Sequence, residues 1–131
     1  MANALYPSFK QALLGADIDM EAVDIRAILI DTADYTYSSA HDFLDDVAAG
    51  AREEVSADLA SKTIASGVFD AADITFSSTA GDACEALILY VHTGVDATSR
   101  LIAYIDTAGG LPATLGGDVS VRWNAGGIFA L

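Results

Sequence analysis

Three apolar runs dominate the pattern of hydrophobic and polar positions along the chain. Residues 86–91 and 101–105 are apolar throughout, and residues 24–31 hold a run rich in β-branched side chains with an aspartate at each end. Runs of this length without alternation are typical of strands covered on both faces. The polar turn at residues 93–96 predicts that the first two runs form a central hairpin.

Shorter segments show the period of two that a half-buried strand needs. Residues 119–123 alternate cleanly between apolar and polar positions, and residues 52–59, 62–68 and 74–76 predict further, weaker strands. The final residues 128–131 are apolar. We expect them to pair in a sheet or to pack on a neighbour, because unsupported chain ends fray.

Two segments carry helical signals. Residues 4–14 place apolar side chains at helical spacing, with Pro7 in the first turn and Gly15 where helices often end in a left-handed residue. Ser39 is positioned to cap a brief helical turn that ends at Gly50. The pattern as a whole predicts a mainly β, single β-rich domain over residues 1–131. We expect a β-sandwich or barrel-like architecture with a short N-terminal helix and a minor helical turn.

Composition limits the classes of partner. With 53% hydrophobic residues in 131, the chain can build a core and still leave apolar side chains for an interface. Its 19 acidic and 6 basic residues give a formal net charge of −13, which disfavours nucleic acid and anionic membranes as partners. The opening residues lack the pattern of a signal peptide, so we expect synthesis in a cytoplasm and release, if any, by lysis.

Candidate catalytic chemistry is sparse. Cys84 stands at the entrance to a buried strand, where a small hydrophobe is expected, and His41 and His92 are expected at the surface or at a strand end. The carboxylates of Asp42, Asp45 and Asp46 form a cluster without the ligand order of a calcium loop. The double glycines lack phosphate-binding spacing. We therefore expect no enzyme activity, no catalytic residue, no cofactor and no metal site.

Several segments resemble a family of small bacteriophage proteins found among virion genes. The matching segments are residues 1–6 (MANALY), 28–36 (ILIDTADYT), 41–52 (HDFLDDVAAGAR), 85–90 (EALILY), 101–107 (LIAYIDT) and 128–131 (IFAL). The chain departs from the family pattern at residues 124–127, where the polar turn is shorter. The resemblance implies a non-enzymatic structural protein of the virion, assembled in the host cytoplasm.

Within a virion, the resemblance favours a capsid decoration (cement) protein that stabilises the head by bridging subunits of the major capsid protein. Its expected partners are that protein and copies of itself, as a trimer. A neck or tail component and a host-surface binding module are the alternatives. Aromatic and apolar side chains are enriched at such interfaces. The expected interface residues are Tyr35, Tyr37, Trp123, Ile128, Phe129 and Leu131.

Overall fold

The computed structural model describes residues 3–131, and most of their regular structure is β-strand. One α-helix, α1, covers Pro7–Leu14, and short 3-10 helices cover Leu44–Asp46, Ala49–Ala51 and Asp96–Thr98. No helix among the described residues has the length and apolar character needed to cross a membrane. The strands are β1 (Ala4–Leu5), β2 (Ile25–Ile30), β3 (Arg52–Val55), β4 (Thr63–Ala65), β5 (Val68–Asp70), β6 (Ile74–Thr79), β7 (Ala86–Val91), β8 (Leu101–Ile105), β9 (Gly117–Val121) and β10 (Phe129–Ala130).

The largest sheet has five antiparallel strands in the order β1-β8-β7-β2-β3. Its central strand, β7, pairs with β2 on one side and with β8 on the other. Every residue of β7 and β8 is buried, as their continuous apolar runs predict for strands covered on both faces. The mainly β prediction and the predicted central hairpin are both confirmed.

A tyrosine-rich turn covers part of one face of this sheet. The ring of Tyr104, on β8, lies 6.4 Å from the ring of Tyr35 and 5.8 Å from that of Tyr37. The Tyr37 ring is in turn 5.0 Å from that of Tyr6, at the start of α1. This cluster fixes the irregular segment after β2 through aromatic packing rather than through backbone pairing.

Two smaller antiparallel sheets complete the structure. One has the order β10-β5-β4, and the other pairs β6 with β9. The predicted pairing of the apolar C-terminal segment is confirmed, since Phe129 is opposite Phe69 of β5. The three sheets are open, with β1 and β3 as free edges of the largest one, so the strands do not close into a barrel. Their buried apolar side chains form one continuous core.

Both predicted helical segments exist, but their ends differ from the prediction. The helix begins at Pro7 rather than at residue 4, because Ala4 and Leu5 pair with β8. Gly15 has an ordinary φ of −82°, and Ala16 takes the left-handed conformation instead. Ser39 does not cap the turn at Leu44–Asp46. The backbone N–H of Asp42, just before this turn, donates instead to the carboxylate of Asp46.

Candidate interaction surface

An open apolar groove lies between α1, the segment that follows it and the sheet β10-β5-β4. Its volume is about 510 Å³. We call it the C-terminal groove, because the last residues of the chain form part of its wall. Its principal apolar lining residues are Ile18, Met20, Ile64, Phe69, Phe129 and Leu131.

A row of side chains across the small sheet forms one side of the groove. Ile64 of β4 is opposite Phe69 of β5, and Phe69 is opposite Phe129 of β10. Directly opposed residues of antiparallel strands point to the same face of the sheet. The rings of Phe69 and Phe129 are 5.3 Å apart, and Phe129 also meets the ring of Phe9 at 5.9 Å. The row is therefore anchored in the core at one end and open at Ile64.

The row depends on a tight hairpin that the sequence interpretation missed. Residues 62–68 were predicted as one strand, but Ser66 and Gly67 form a two-residue turn with φ values of 51° and 78°. Two consecutive positive φ values match the type I′ turn, whose twist suits a hairpin. Glycine accepts this conformation readily, and the Ser-Gly pair was the available local signal.

The opposite side of the groove comes from the loop after α1. Between residues 17 and 21, Ile18 and Met20 are buried, whereas Asp17, Asp19 and Glu21 are exposed. The backbone turns here, with Asp19 accepting from the backbone N–H of Glu21 at 3.0 Å. Of these three acidic residues, Asp19 lines the otherwise largely apolar groove. The alternation of acidic and apolar residues is visible in the sequence, but the segment is a loop rather than a strand.

Apolar side chains that line the groove remain in contact with water. Leu131 is 69% exposed and Ile64 is 47% exposed. Covering an aliphatic side chain of this size contributes about 1.5–3 kcal/mol. Clustered exposure of this kind marks surfaces that bind partners.

The expected interface residues fall in three different places. Phe129 and Leu131 line the C-terminal groove. Tyr35 is only 5% exposed, so its side chain belongs to the core and offers no surface to a partner. Tyr37 is half-buried against the rings of Tyr6 and Tyr104. The sequence predicted Tyr35 as a contact from its residue type, which does not distinguish a core aromatic from an interface aromatic. The predicted role of Tyr37 at an interface stays a prediction.

Trp123 and Ile128 line a separate recess of about 280 Å³. The indole Nε1–H of Trp123 donates to the carbonyl oxygen of Ala72 at 3.0 Å, and its backbone N–H donates to Asp73 at 2.9 Å. The backbone N–H of Ile128 donates to the carbonyl oxygen of Phe69 at 2.8 Å. Both residues are thus tied to the small sheets, and each remains partly exposed.

A chain of hydrogen bonds links the buried tyrosines to a histidine. The hydroxyl oxygens of Tyr6 and Tyr35 are 2.8 Å apart, and the Tyr35 hydroxyl is 2.8 Å from Nδ1 of His41. Burial raises the pKa of Tyr35 from 10.0 to about 12, and burial also raises the pKa of Tyr6. Both hydroxyls therefore stay protonated at neutral pH and serve the packing of the turn.

Cys84 is buried, as the sequence predicted. Burial, reinforced by the Glu53 and Glu85 carboxylates, raises the pKa of its thiol from 9.0 to about 12. Only the thiolate is an effective nucleophile, so this environment opposes covalent chemistry at neutral pH. The thiol lies 3.5 Å from the carbonyl oxygen of Asp82.

We expect the free energy of unfolding to fall as the pH rises from 9 towards 12. In the unfolded chain, Cys84 and Tyr35 lose their protons near their ordinary pKa values, whereas the folded protein retains them. The unfolded state then binds fewer protons, so the contribution is complete below pH 9 and is lost on raising the pH. Each such group contributes a slope of about 1.4 kcal/mol per pH unit.

Urea unfolding at stepped pH measures this slope. Cys84→Ala removes only the thiol, whose ordinary pKa is 9.0. The free energy of unfolding of this variant should therefore change less between pH 9 and 10 than that of the unmodified protein. The curve of the variant should still fall above pH 10, where the tyrosines titrate in the unfolded chain. Equal slopes for the two proteins between pH 9 and 10 would contradict the assignment.

Two groups of carboxylates lie close together. The side-chain oxygens of Asp42, Asp45 and Asp46 are within 4.8 Å of one another, and the same is true of Asp31, Glu53 and Asp82. In the first group, Asp46 accepts from the backbone N–H of Asp42 at 2.8 Å, and backbone hydrogen bonds lower its pKa. That carboxylate therefore already has a role in holding the turn before Leu44–Asp46.

The ion pairs described within residues 3–131 join Arg26 to Asp58 and Arg52 to Asp96. Their N–O distances are 2.7 Å and 2.8 Å. Arg52 also donates to the carbonyl oxygens of Val47 and Leu44, which fixes it in place. Neither ion pair involves Asp19, the acidic residue that lines the C-terminal groove.

No protein-family model matches the chain, and comparison with curated proteins gives no match.

Proposed function

We propose that this protein is a non-enzymatic structural component of a bacteriophage virion, acting as a capsid decoration protein. Two observations support the proposal. The sequence resembles small virion proteins over several segments, and the domain presents an apolar groove with Leu131 and Ile64 exposed at its surface. The groove is the observation that carries the functional argument, because a decoration protein works by covering apolar surface on its neighbours.

The side-chain chemistry supports a role in binding rather than in catalysis. The pKa of the Cys84 thiol is raised, which keeps it protonated. The Tyr35 hydroxyl is engaged by Tyr6 and by His41 inside the fold. Groups that catalyse reactions need pKa values near the working pH and access to substrate. These groups instead stabilise the core around the five-stranded sheet.

A decoration role sets requirements on the surface. A stable protein–protein interface buries at least about 1,200 Å² in total, so the groove alone would be one part of a larger footprint. The recess at Trp123 and Ile128 offers a second partly apolar region. In this proposal the partners are the major capsid protein and further copies of the chain, and the acidic remainder faces solvent.

The test is the copy number of this protein in purified particles of the phage that encodes it. Quantitative mass spectrometry against the major capsid protein should give a near-equimolar ratio. A ratio of a few copies per particle would overturn the decoration role in favour of a neck or tail position. Absence from the particle would overturn both, and binding of the isolated protein to host cells would then indicate a host-binding module.

A further inference from the structure

The recess beside Trp123 differs from the C-terminal groove in the chemistry of its wall. It is lined by Asn3, by the end of β8 with the residues that follow it, and by residues between Trp123 and Ala130. None of the described residues that line it has an ionisable side chain, although the whole chain has a formal net charge of −13. Its volume of about 280 Å³ is near the lower end of the range for small-molecule sites. The recess therefore suits a small, uncharged ligand.

Two asparagine amides in this wall are oriented by backbone donors. Oδ1 of Asn3 accepts from the backbone N–H of Asp106 at 2.8 Å, and its Nδ2 donates to Oγ1 of Thr107 at 2.7 Å. Because the Thr107 hydroxyl accepts this bond, its own proton is available for another acceptor. Oδ1 of Asn124 accepts from the backbone N–H of Gly126 at 2.9 Å, and no hydrogen bond from another described residue occupies its Nδ2. The wall thus offers fixed, neutral hydrogen-bond donors.

Trp123 is held in place before any ligand arrives. Its indole Nε1–H donates to Ala72 and its backbone N–H donates to Asp73, and the side chain remains half-buried. The only polar atom of the indole is therefore engaged, so the ring offers hydrocarbon to the recess. A site whose groups are already fixed loses less conformational entropy when a ligand binds.

A sugar ring has the two kinds of surface that match this wall. The C–H groups on one face of a pyranose form an apolar patch that packs on an aromatic ring, as other hydrocarbon surfaces do. Its hydroxyl and ring oxygens accept hydrogen bonds from amide and hydroxyl donors. The negative net charge of the protein disfavours acidic sugars, and the described lining residues provide no carboxylate for a basic one. A neutral sugar is the class that remains.

We propose that the recess beside Trp123 binds one ring of a neutral saccharide. The sugar ring packs on the indole, and the side chains of Asn124, Asn3 and Thr107 donate to its oxygens. This goes beyond the decoration role, because it gives the domain a glycan-binding activity that needs no capsid protein. A sugar and a protein neighbour would compete for the recess, so an occupied recess leaves the C-terminal groove for the protein contact.

Tryptophan fluorescence reports on this recess alone, because Trp123 is the one tryptophan of the chain. The probes are the methyl glycosides of glucose, galactose, mannose, rhamnose and N-acetylglucosamine. Each is titrated to about 50 mM, since one ring makes few contacts and we expect a millimolar Kd. At least one glycoside should give a saturable change, whereas sorbitol, an open-chain polyol without a ring face, should give none. Saturation by none of the glycosides, or an equal response to sorbitol, would overturn the proposal.

Two substitutions locate the bound sugar. Asn124→Asp keeps the acceptor for the Gly126 N–H but removes the amide donor, and it should raise the Kd at least about tenfold. Thr107→Val removes one hydroxyl and should raise the Kd at least about threefold. Its matched control is Thr63→Val, the same change at an exposed residue of β4 outside the recess, which should alter the Kd less than about twofold.

Circular dichroism confirms that the three variants fold. An unchanged Kd in Asn124→Asp, or equal weakening by the two valine variants, would overturn the proposed site. Because these titrations use the isolated protein, their failure leaves the copy number in the particle untouched, and a low copy number leaves the sugar result standing.

Discussion

Replacing Gly110 with alanine should lower the free energy of unfolding by at least about 3 kcal/mol, since overpacking and a forbidden backbone conformation both contribute. Gly110 has a φ of +100°, which side chains with a Cβ rarely adopt. A Cβ at this position would lie 2.2 Å from the carbonyl oxygen of Ser120. That oxygen belongs to β9. Arg122, just after β9, exchanges paired backbone hydrogen bonds with Gly109, so the Ser120 oxygen cannot move away freely.

Alanine variants at two other glycines distinguish the cost of the backbone conformation from the cost of the contact with Ser120. Gly94 has a φ of +88° with open space around the Cβ position, so Gly94→Ala should show only the backbone cost of about 1–2 kcal/mol. Gly50 has neither a positive φ nor a neighbour within 4 Å, and Gly50→Ala should change stability by no more than about 0.5 kcal/mol. Urea unfolding of the three variants tests the order. A loss in Gly110→Ala no greater than that in Gly94→Ala would contradict the role of the Ser120 contact.

Leu89→Ala should cost about 2–5 kcal/mol, the range for truncating a buried leucine. Leu89 is fully buried in the central strand β7. Its directly opposed residues are Ala27 on β2 and Ala103 on β8. Neither alanine can extend into the space that the leucine leaves, so we expect a loss in the upper half of that range.

The matched control is Leu14→Ala, which makes the same chemical change at a side chain that is 90% exposed. It should alter stability by less than about 0.5 kcal/mol, because no cavity forms and alanine suits a helix end. Thermal or urea unfolding of both variants measures the difference. A similar loss in the two proteins would show that Leu89 is not packed as described.

The sequence predicted the strands whose signal is local and strong. Continuous apolar runs identified β2, β7 and β8, because a strand covered on both faces needs no polar positions. The helical signal at residues 4–14 was also sound, but its first residues belong to β1. Ala4 pairs with Tyr104, and nothing in the residues around Ala4 indicates a partner so far along the chain.

The groove could be predicted only in part. Phe129 and Leu131 were expected at an interface because they belong to an apolar C-terminal segment, and both line the groove. Ile18, Met20 and Ile64 were missed, since each is unremarkable within its own segment. The groove forms where the segment after α1, the β4-β5 hairpin and the C-terminal segment pack together. The local pattern of apolar and polar residues does not predict which distant segments pack against each other.

The strand order of the largest sheet has a consequence for synthesis. β2 and β3 leave the ribosome early, yet β7, the strand between β2 and β8, begins only at residue 86. β1, at the start of the chain, must wait for β8 at residues 101–105. Pairings between distant segments slow folding, because the chain loses the entropy of closing a long loop before the stabilising contacts form. The nascent chain can therefore pair β2 with β3 early, but the other edge of β2 and the whole of β1 stay without their partner strands until most of the domain has been made.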